Sequence, residues 1–324
     1  MLKKTIGVLT SGGDSPGMNA ALRAVVRTAY YLDTPIFGIT HGYQGLIDNT
    51  VISLAPHSVG NIINRGGTIL KTARCEEFYT PEGRKKAYQT LNKHCITSLI
   101  VIGGDGSFRG LHDLLQEYPL QGIGLPGTID NDLYGTDYTI GFDTAVNTAL
   151  TAIDKIRDTA TSHDRLFLIE VMGRYAGYIG LFTGIGGGAE GILIPETPTD
   201  VNKLVKKLEE GARRGKKSSI IVVAEGDEVG TVLDLKQHIE QHTNWDVRIS
   251  ILGHQQRGGP PSGFDRFLAS RLGYESVHAL RDEESDKMIG MINQTITRIP
   301  LRDTWEKKKP IDSANITMAD ILSS

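Results

Sequence analysis

The sequence predicts an α/β protein with a mostly parallel, doubly wound sheet flanked by helices, and its length allows one large domain or two. Two observations predict this class. Short apolar, partly β-branched runs recur along the 324-residue chain, as in strands that are buried on both faces of a parallel sheet. These runs end in glycine-rich or charged loops, and several are followed by a segment with helical spacing, which is the βα unit of a doubly wound sheet.

Composition and net charge restrict the kinds of molecule that the protein is expected to bind. Hydrophobic residues make up 39% and charged residues 23% of the chain, which is ordinary for a globular protein. The net charge of -3 argues against binding of nucleic acid or an anionic membrane through overall charge. Only Cys75 and Cys95 are present, outside any CxxC pair, which indicates free thiols and no structural zinc. No apolar run is long enough to span a bilayer, and we expect a cytoplasmic protein.

The first unit in the chain is a strand at 5–10, a loop at 11–17 and a helix at 18–31. Ala20, Ala21, Val25 and Ala29 have the spacing of buried helix positions. Arg23 and Arg27 lie four residues apart, and therefore share one helix face. That face is either an anion-binding surface or a solvated basic stripe.

A second unit of the same design runs from Ser98. Leu99 to Ile102 is a buried-strand pattern that stops at Gly103-Gly104-Asp105-Gly106-Ser107, and FRGLHDLLQEY follows as a helix. The loop therefore stands at a helix N-terminus, where free N–H groups favour phosphate, and its carboxylate suits Mg²⁺. An ordinary glycine-rich turn with an exposed Asp would have the same sequence.

A third strand, at 121–126, ends in Gly127-Thr128-Ile129-Asp130-Asn131-Asp132. In an extended segment the two carboxylates, Asp130 and Asp132, project to the same side. This arrangement suits a general base beside a metal-associated acid, whereas a polar turn stabilised by Asx hydrogen bonds is the alternative.

The remaining predicted elements are strands at 36–40, 165–171, 191–194, 219–224 and 247–252, and helices at 81–94, 141–158 and 201–213. Three of these strands end in MGR, EG and GHQQRGG. The carboxyl ends of parallel strands form the ligand-binding edge of such sheets, so we expect one shared site. Glycine loops suit a polyphosphate. A second phosphate would suit Arg174 and Arg257, and further candidates for it are Arg165 and Arg248. These groups indicate phosphoryl transfer from a nucleotide to a phosphorylated alcohol, and the usual P-loop pattern is absent.

Seven motifs, in order and over nearly the whole chain, carry a family resemblance: TSGGDSPGMNAA, NRGGT, VIGGDGS, LPGTIDND, TIGFDTA, EVMGRYAG and GHQQRGGPPS. They closely resemble bacterial ATP-dependent 6-phosphofructokinase. The resemblance implies the phosphofructokinase fold of two Rossmann-like domains with mostly parallel sheets flanked by helices. The implied ATP-binding domain is at 1–141 and 256–306, and the implied fructose-6-phosphate-binding domain is at 142–255 and 307–324. It also implies transfer of the γ-phosphoryl of ATP to O1 of fructose 6-phosphate, the committed step of glycolysis.

The resemblance also assigns the site residues. The implied catalytic residues are Thr128, Asp130 (the base), Asp132 and Arg174. The implied ATP and Mg²⁺ residues are Gly12, Arg74, Cys75, Gly104, Asp105 (the metal ligand), Gly106 and Ser107. The implied substrate residues are Thr128, Ile129, Asp130, Arg165, Met172, Gly173, Arg174, Glu225, Arg248, His254, Gln255, Gln256 and Arg257.

Two residues favour ATP as the phosphoryl donor. Pyrophosphate-using relatives resemble GGDD and PKTIDND, whereas this chain has Gly106 and Gly127. A carboxylate at position 106 would repel and crowd the α-phosphate of a nucleotide. Two alternatives remain: a pyrophosphate-dependent enzyme and a non-catalytic sugar-phosphate sensor. A non-catalytic sensor would be expected to have lost Asp105 or Asp130, and both residues are present.

The resemblance further implies a homotetramer, in which Arg165 and Arg248 reach a neighbouring subunit's active site, and an allosteric site for ADP and phosphoenolpyruvate. The matching effector residues are Arg23, Arg27, Arg157, Gly188, Glu190, Arg214, Lys216, Lys217 and Ser218. Pro56 departs from relatives that carry an effector-binding arginine there, so the effector response is left open. Cys75 replaces an aromatic residue beside the nucleotide.

Overall fold

The chain forms two compact units in the computed structural model, which describes residues 4–228 and 230–323. The first unit contains the residues up to Ile129, Leu133–Thr144 and Arg257–Lys309. The second unit contains Asp130–Asp132, Ala145–Gln256 and the residues from Pro310 onward. Each unit holds one sheet with helices around it, so the α/β class is confirmed. In the described residues no helix is both long and apolar enough to cross a membrane.

The helices and strands are numbered in chain order. The strands are β1 (Ile6–Thr10), β2 (Ile36–Ile39), β3 (Val51–Ser53), β4 (Ser98–Gly103), β5 (Gln121–Pro126), β6 (Leu166–Val171), β7 (Gly191–Leu193), β8 (Ser219–Ala224), β9 (Val247–Ile251), β10 (Lys287–Ile292) and β11 (Thr295–Pro300). The α-helices are α1 (Met18–Tyr31), α2 (Gly42–Ile47), α3 (Pro81–Lys93), α4 (Asp105–Glu117), α5 (Phe142–His163), α6 (Tyr178–Gly186), α7 (Val201–Arg213), α8 (Val232–His242), α9 (Gly263–Arg281), α10 (Asp303–Glu306) and α11 (Ser313–Leu322). Short 3₁₀ helices occupy Glu77–Tyr79 and Gly253–Arg257.

The sheet of the first unit has the strand order β11-β10-β5-β4-β1-β2-β3. Its five inner strands are parallel, and only the edge strands β3 and β11 pair antiparallel. Alternate residues of β4 point to opposite faces: Ile100 and Ile102 join the apolar core that contains α1 and α9, whereas Leu99 and Val101 join the core that contains α3 and α4. Burial on both faces explains the continuous apolar runs of the sequence.

Helices α1 and α9 approach each other closely at Gly273. A Cβ atom built on Gly273 would lie 2.7 Å from the carbonyl oxygen of Ala21 and 2.9 Å from the Cβ of Ala24. These separations are too short for a side chain, so glycine is needed for this helix contact. The predicted buried positions Ala21 and Val25 lie in this core and are fully buried.

The sheet of the second unit has the order β7-β8-β6-β9, and all its strand pairs are parallel. Leu166, Leu168 and Ile221 pack in a core with residues from α7 and α8. The carboxyl ends of β6 and β8 therefore stand side by side, in register, and carry the loops that begin at Met172 and Glu225.

Most predicted elements are confirmed, and the predicted helix at 18–31 has the observed bounds of α1. Helix α4 begins at Asp105, three residues before the predicted start, so Asp105 lies in the first helical turn and not in a loop.

The hairpin of β10 and β11 was not predicted. Its two-residue turn, Asn293-Gln294, has φ angles of 48° and 62°, which is the left-handed conformation of a tight hairpin.

A buried carboxylate connects α9 to the start of α5. Asp265 is fully buried, and its side chain accepts hydrogen bonds from the backbone N–H groups of Gly141 and Thr144, both at 2.8 Å, and from the Thr144 hydroxyl at 2.6 Å. Burial nevertheless raises the pKa of Asp265 from 3.8 to about 6, and the hydrogen bonds offset only part of this rise.

We expect Asp265 to lower the stability of the protein as the pH rises from about 4 to about 7. A carboxyl group with a raised folded-state pKa stabilises the fold fully below its unfolded-state pKa and loses that contribution as the pH passes the folded value. At about 1.36 kcal/mol per pKa unit, the loss amounts to about 3 kcal/mol. The difference in unfolding free energy between the wild type and Asp265→Asn, measured by urea unfolding from pH 4 to 7, should fall by this amount; a constant difference contradicts the expectation.

Candidate active site

Three neighbouring strands of the first unit bring their carboxyl-end loops together. The N–H of Ser11 donates to the carbonyl of Ile102 at 2.9 Å, and the N–H of Gly127 donates to the carbonyl of Gly103 at 2.9 Å. A Cβ atom on Gly103 would lie 2.6 Å from both the Ser11 carbonyl oxygen and the Ser107 hydroxyl. The loops after β1, β4 and β5 therefore meet backbone to backbone, which requires glycine at position 103.

The N-terminus of α4 is suited to bind phosphate. Asp105, Gly106 and Ser107 form its first turn, whose N–H groups have no partner inside the helix. A Cβ atom on Gly106 would have nothing within 4 Å, so this position faces open space. The backbone conformation at Gly106 is one that any residue can adopt. The effect of glycine at this position is therefore to leave the space free of a side chain.

The Asp105 carboxylate fits a Mg²⁺ ion that also binds phosphate oxygens. Its side chain is 44% exposed, and its ion-pair partner Arg109, one turn later on α4, is 3.8 Å away. Arg109 also lies over the ring of Trp305, with 5.5 Å from Cζ to the ring centroid. Among the described residues no three His, Cys, Asp or Glu side chains are grouped to hold a metal. A Mg²⁺ ion at Asp105 would take its other ligands from substrate phosphates and water, as this ion commonly does.

Tyr43 is a supporting residue that the sequence analysis did not identify. Its hydroxyl is buried and donates to the carbonyl of Ser107 at 2.5 Å, and its ring stacks on Phe78 with 4.0 Å between the centroids. Burial, with a smaller effect of Asp113, raises the pKa of Tyr43, so the phenol stays protonated and remains a donor. Tyr43 thereby connects the first turn of α4 to the segment that follows Arg74 and Cys75.

The predicted nucleotide residues Arg74 and Cys75 precede that 3₁₀ segment. Arg74 is exposed, whereas Cys75 is partly buried and packs against the core that contains α3 and α4. Burial raises the pKa of the Cys75 thiol, although backbone hydrogen bonds oppose the rise. Cys75 is therefore a neutral packing residue and not a reactive thiolate.

Arg257 lies beside the loop that follows β1. Its guanidinium donates to the carbonyl of Asp14 at 3.3 Å, and a Cβ atom on Gly13 would lie 2.8 Å from its Nη1 atom. Gly12 has a φ of 82°, a conformation that glycine adopts without strain. The predicted substrate residue Arg257 is thus in the first unit, next to the predicted nucleotide loop.

Asp130 and Arg174 form a charged pair in the second unit. Nε of Arg174 is 3.7 Å from Oδ2 of Asp130, whose side chain is only 5% exposed. The expectation that Asp130 and Asp132 project to the same side is wrong, because the segment is not extended: Asn131 has a left-handed φ of 55°. Asp130 is buried and Asp132 is exposed.

The loop after β6 has an unusual backbone that Glu225 supports. Gly173 has a φ of 142° and Arg174 a φ of 54°. Glu225 accepts hydrogen bonds from the N–H groups of Gly173, at 3.3 Å, and Arg174, at 2.8 Å. Gly226 passes so close that its Cβ atom would lie 1.7 Å from the carbonyl oxygen of Arg174. Glu225 and Gly226 together fix how the Arg174 side chain leaves the sheet.

Gln256 is the buried member of the loop after β9. Its Oε1 atom accepts from the N–H of Met172 at 3.4 Å, and its Nε2 atom donates to the carbonyl of Gly253 at 3.2 Å. It is fully buried, whereas the neighbouring predicted residues His254 and Gln255 are exposed. Gln256 therefore connects the ends of β6 and β9, and only its neighbours are accessible to a ligand.

Arg165 and Arg248 lie at the opposite end of the same strands. Both donate to Asp246, Arg165 at 3.0 Å and Arg248 at 2.9 Å. Arg165 directly precedes β6 and Met172 directly follows it, so about 20 Å of strand separates them at about 3.3 Å per residue. The second unit of one chain therefore does not bring Arg165 to Arg174.

The predicted effector residues of the second unit form a cluster around Glu190. Its carboxylate is 2.9 Å from Lys216 Nζ and 3.8 Å from Arg157 Nη1, and Arg157 donates to the Gly188 carbonyl at 2.8 Å. Lys217 is 3.6 Å from Asp164, and Arg214 is exposed. The other predicted members, Arg23 and Arg27, lie on α1 of the first unit, where burial and the neighbouring Arg27 lower the pKa of Arg23.

Comparison with known proteins identifies a family over most of the chain. The phosphofructokinase family model matches residues 5–280. An ATP-dependent 6-phosphofructokinase 1 of Thermus thermophilus is 53% identical over 320 residues, which cover 99% of each chain. An ATP-dependent 6-phosphofructokinase of Halalkalibacterium halodurans is 54% identical over 320 residues, again covering 99% of each.

Solved structures agree with this match. The structure of phosphofructokinase from Saccharomyces cerevisiae has a TM-score of 0.91 and 35% identity; the match covers 99% of this chain and 48% of the yeast chain, so this chain spans about half of that protein. A pyrophosphate-dependent phosphofructokinase from Marinobacter aquaeolei has a TM-score of 0.84 over 95% of this chain and 86% of its own, but only 22% identity, which supports the fold alone.

We expect Gly226→Ala to displace the loop at Arg174, because the added methyl group would overlap the Arg174 carbonyl oxygen. Trypsin should cleave after Arg174 several-fold faster in native Gly226→Ala than in the wild type. Gly180→Ala is the matched control, since its Cβ atom would make only ordinary contacts, at 3.4 Å or more. Equal cleavage rates in all three proteins would contradict the role given to Gly226.

Proposed function

The chain belongs to the phosphofructokinase family, and we propose that it transfers the γ-phosphoryl group of ATP to O1 of fructose 6-phosphate, giving fructose 1,6-bisphosphate and ADP in glycolysis. One observation carries this proposal: relatives named ATP-dependent 6-phosphofructokinase share 53% to 54% identity with it over 99% of its length. The pyrophosphate-dependent proteins with a similar fold are only 20% to 22% identical, and therefore do not favour the other donor.

ATP would bind at the loops of the first unit. The N–H groups of Gly104 to Ser107 at the start of α4 offer hydrogen bonds to the phosphates, and the loop at Gly12 lies next to them. Arg74 and Cys75 would contact the remainder of the nucleotide. Asp105 would hold Mg²⁺, which when bound neutralises charge on the phosphate oxygens.

Fructose 6-phosphate would bind at the loops of the second unit. The exposed side chains of His254 and Gln255 are suited to bind its phosphate, and Glu225 fixes the backbone at Arg174. Asp130 would accept the proton of the O1 hydroxyl as that oxygen attacks the γ-phosphorus and ADP leaves. The positive charge of Arg174, 3.7 Å from Asp130, would stabilise the negative charge of the transferring group.

A homotetramer with shared sites would explain Arg165 and Arg248. These arginines lie together on Asp246 at the amino ends of β6 and β9, where they are too far along the strands to serve the Arg174 site of their own chain. We propose that they bind the sugar phosphate of a neighbouring subunit.

We propose that the Glu190 cluster, with Arg23 and Arg27, binds the effectors ADP and phosphoenolpyruvate. Pro56 adds no charge to such a site, so the effector response should differ from that of relatives with arginine at this position. A coupled assay with ATP or pyrophosphate as donor, with and without each effector, tests donor and regulation together. Preferential use of pyrophosphate would overturn the donor assignment.

We expect Asp130→Ser to lower kcat by about 10²-fold to 10⁴-fold, which is the usual contribution of a general base. Equilibrium binding of fructose 6-phosphate should be retained, because Asp130 acts on the hydroxyl proton and not on the phosphate. Asp282→Ser, at an exposed carboxylate of the first unit, is the control and should keep full activity. Unchanged turnover in Asp130→Ser would rule out Asp130 as the base.

We expect Gly106→Asp to reduce kcat/KM for ATP by at least tenfold, because the carboxylate would enter the open space at the start of α4 and repel the nucleotide phosphates. Gly106→Ala is the matched control: it adds a Cβ atom with nothing within 4 Å, so ATP use should stay within a few-fold of the wild type. Binding of ADP, measured by calorimetry, should weaken in Gly106→Asp alone. Equal ATP use by both variants would contradict the donor assignment.

A further inference from the structure

The second unit contains a cavity that the proposed reaction does not use. It has a volume of about 250 Å³ and lies between β7, α7 and the C-terminal helix α11. It is lined by Leu181 of α6, Ile192 of β7 and Leu204 of α7, and by Ile316 and Ala319 of α11. At about 30 Å³ for each water-sized group, the cavity has room for roughly eight non-hydrogen atoms.

A lysine with unused hydrogen-bonding capacity lines this cavity. Lys207, in the middle of α7, is half-buried, and its Nζ atom donates to the Ser323 hydroxyl on the far side of the cavity at 2.6 Å. Among the described residues this neutral hydroxyl is its only hydrogen-bond partner, and no carboxylate lies within ion-pair distance. An ammonium group has three donors, so two remain for a ligand.

The carboxylates around the cavity are mostly engaged elsewhere. Glu190 is paired with Lys216 at 2.9 Å and accepts from the Ile220 N–H at 2.5 Å, and Asp200 caps α7 by accepting from the Lys203 N–H at 3.0 Å. Asp320, on α11, and more weakly Glu190 nevertheless attract the charge of Lys207. Burial has the largest effect and lowers the pKa of Lys207, and the neighbouring Lys216 and Lys203 act in the same direction.

We propose that this cavity binds a small aliphatic carboxylate of about six carbons. The carboxylate would accept hydrogen bonds from the ammonium of Lys207, and the chain would lie against Leu204, Ile316 and Ala319. This arrangement gives the ammonium group an anionic hydrogen-bond acceptor, which none of the described residues supplies, and fills the apolar volume. Because the ligand would contact both α7 and α11, binding would also hold the C-terminal helix against the second unit.

Calorimetric titration of the full chain with hexanoate tests the proposal. Hexanoate should bind saturably, and 1-hexanol, which has the chain without the charge, at least tenfold more weakly. Lys207→Met should weaken hexanoate binding at least tenfold, whereas Lys206→Met, at the exposed neighbouring position, should not. Asp320→Asn should bind hexanoate more tightly, because it removes the competing carboxylate.

A second variant keeps Lys207 and removes the space. Ala319→Leu should abolish hexanoate binding by filling the cavity, and retained phosphotransferase activity in each variant verifies its fold. Absence of saturable binding to the wild type at millimolar hexanoate overturns the proposal. Wild-type affinity for hexanoate in both Lys207→Met and Ala319→Leu would also overturn it. So would equal affinities of the wild-type protein for hexanoate and 1-hexanol.

Discussion

The close contact of three loops at Gly103 is the constraint on which the proposed nucleotide site depends. The carbonyl oxygen of Ser11 and the hydroxyl of Ser107 both come within 2.6 Å of the place where a Cβ atom would stand. Parallel pairing of β1 with β4 and of β4 with β5 places these loops side by side, and glycine lets them touch. The start of α4 is thereby held by the sheet itself, so its free N–H groups keep a fixed direction.

The sequence alone was sufficient to predict those elements in which one physical signal dominates. Strands such as β4 are buried on both faces and so read as unbroken apolar runs, and the spacing of Ala21 and Val25 marked α1 with its observed ends. Glycine and aspartate directly after these runs identified the strand ends at which Asp105 and Asp130 lie, because the carboxyl ends of parallel strands form one edge. The family resemblance added roles for individual residues that composition and spacing do not supply.

What the sequence did not reveal depends on local backbone geometry and on distant partners. Asn131 adopts a left-handed φ of 55°, which buries Asp130 and exposes Asp132, although the motif TIDND is compatible with an extended segment. The turn at Asn293-Gln294 lacks the glycine that usually marks a two-residue hairpin, so β10 and β11 gave no signal. Tyr43 reaches the carbonyl of Ser107 across 64 residues of chain, a contact that no spacing rule detects.

Strand β8 connects the two ends of the second unit. Lys216 and the rest of the predicted effector segment directly precede β8, and Glu225, which supports the Arg174 loop, directly follows it. All six residues of β8 are buried and pair with β6 in register, so the strand has little freedom to bend or slip. Any influence of the charges at Glu190 and Lys216 that reaches the Arg174 loop through β8 must therefore move β8 and β6 together. Such a displacement would also move Arg165, because it is joined to β6, so the predicted effector cluster and the predicted substrate residues Arg165 and Arg174 are connected through one buried pair of strands.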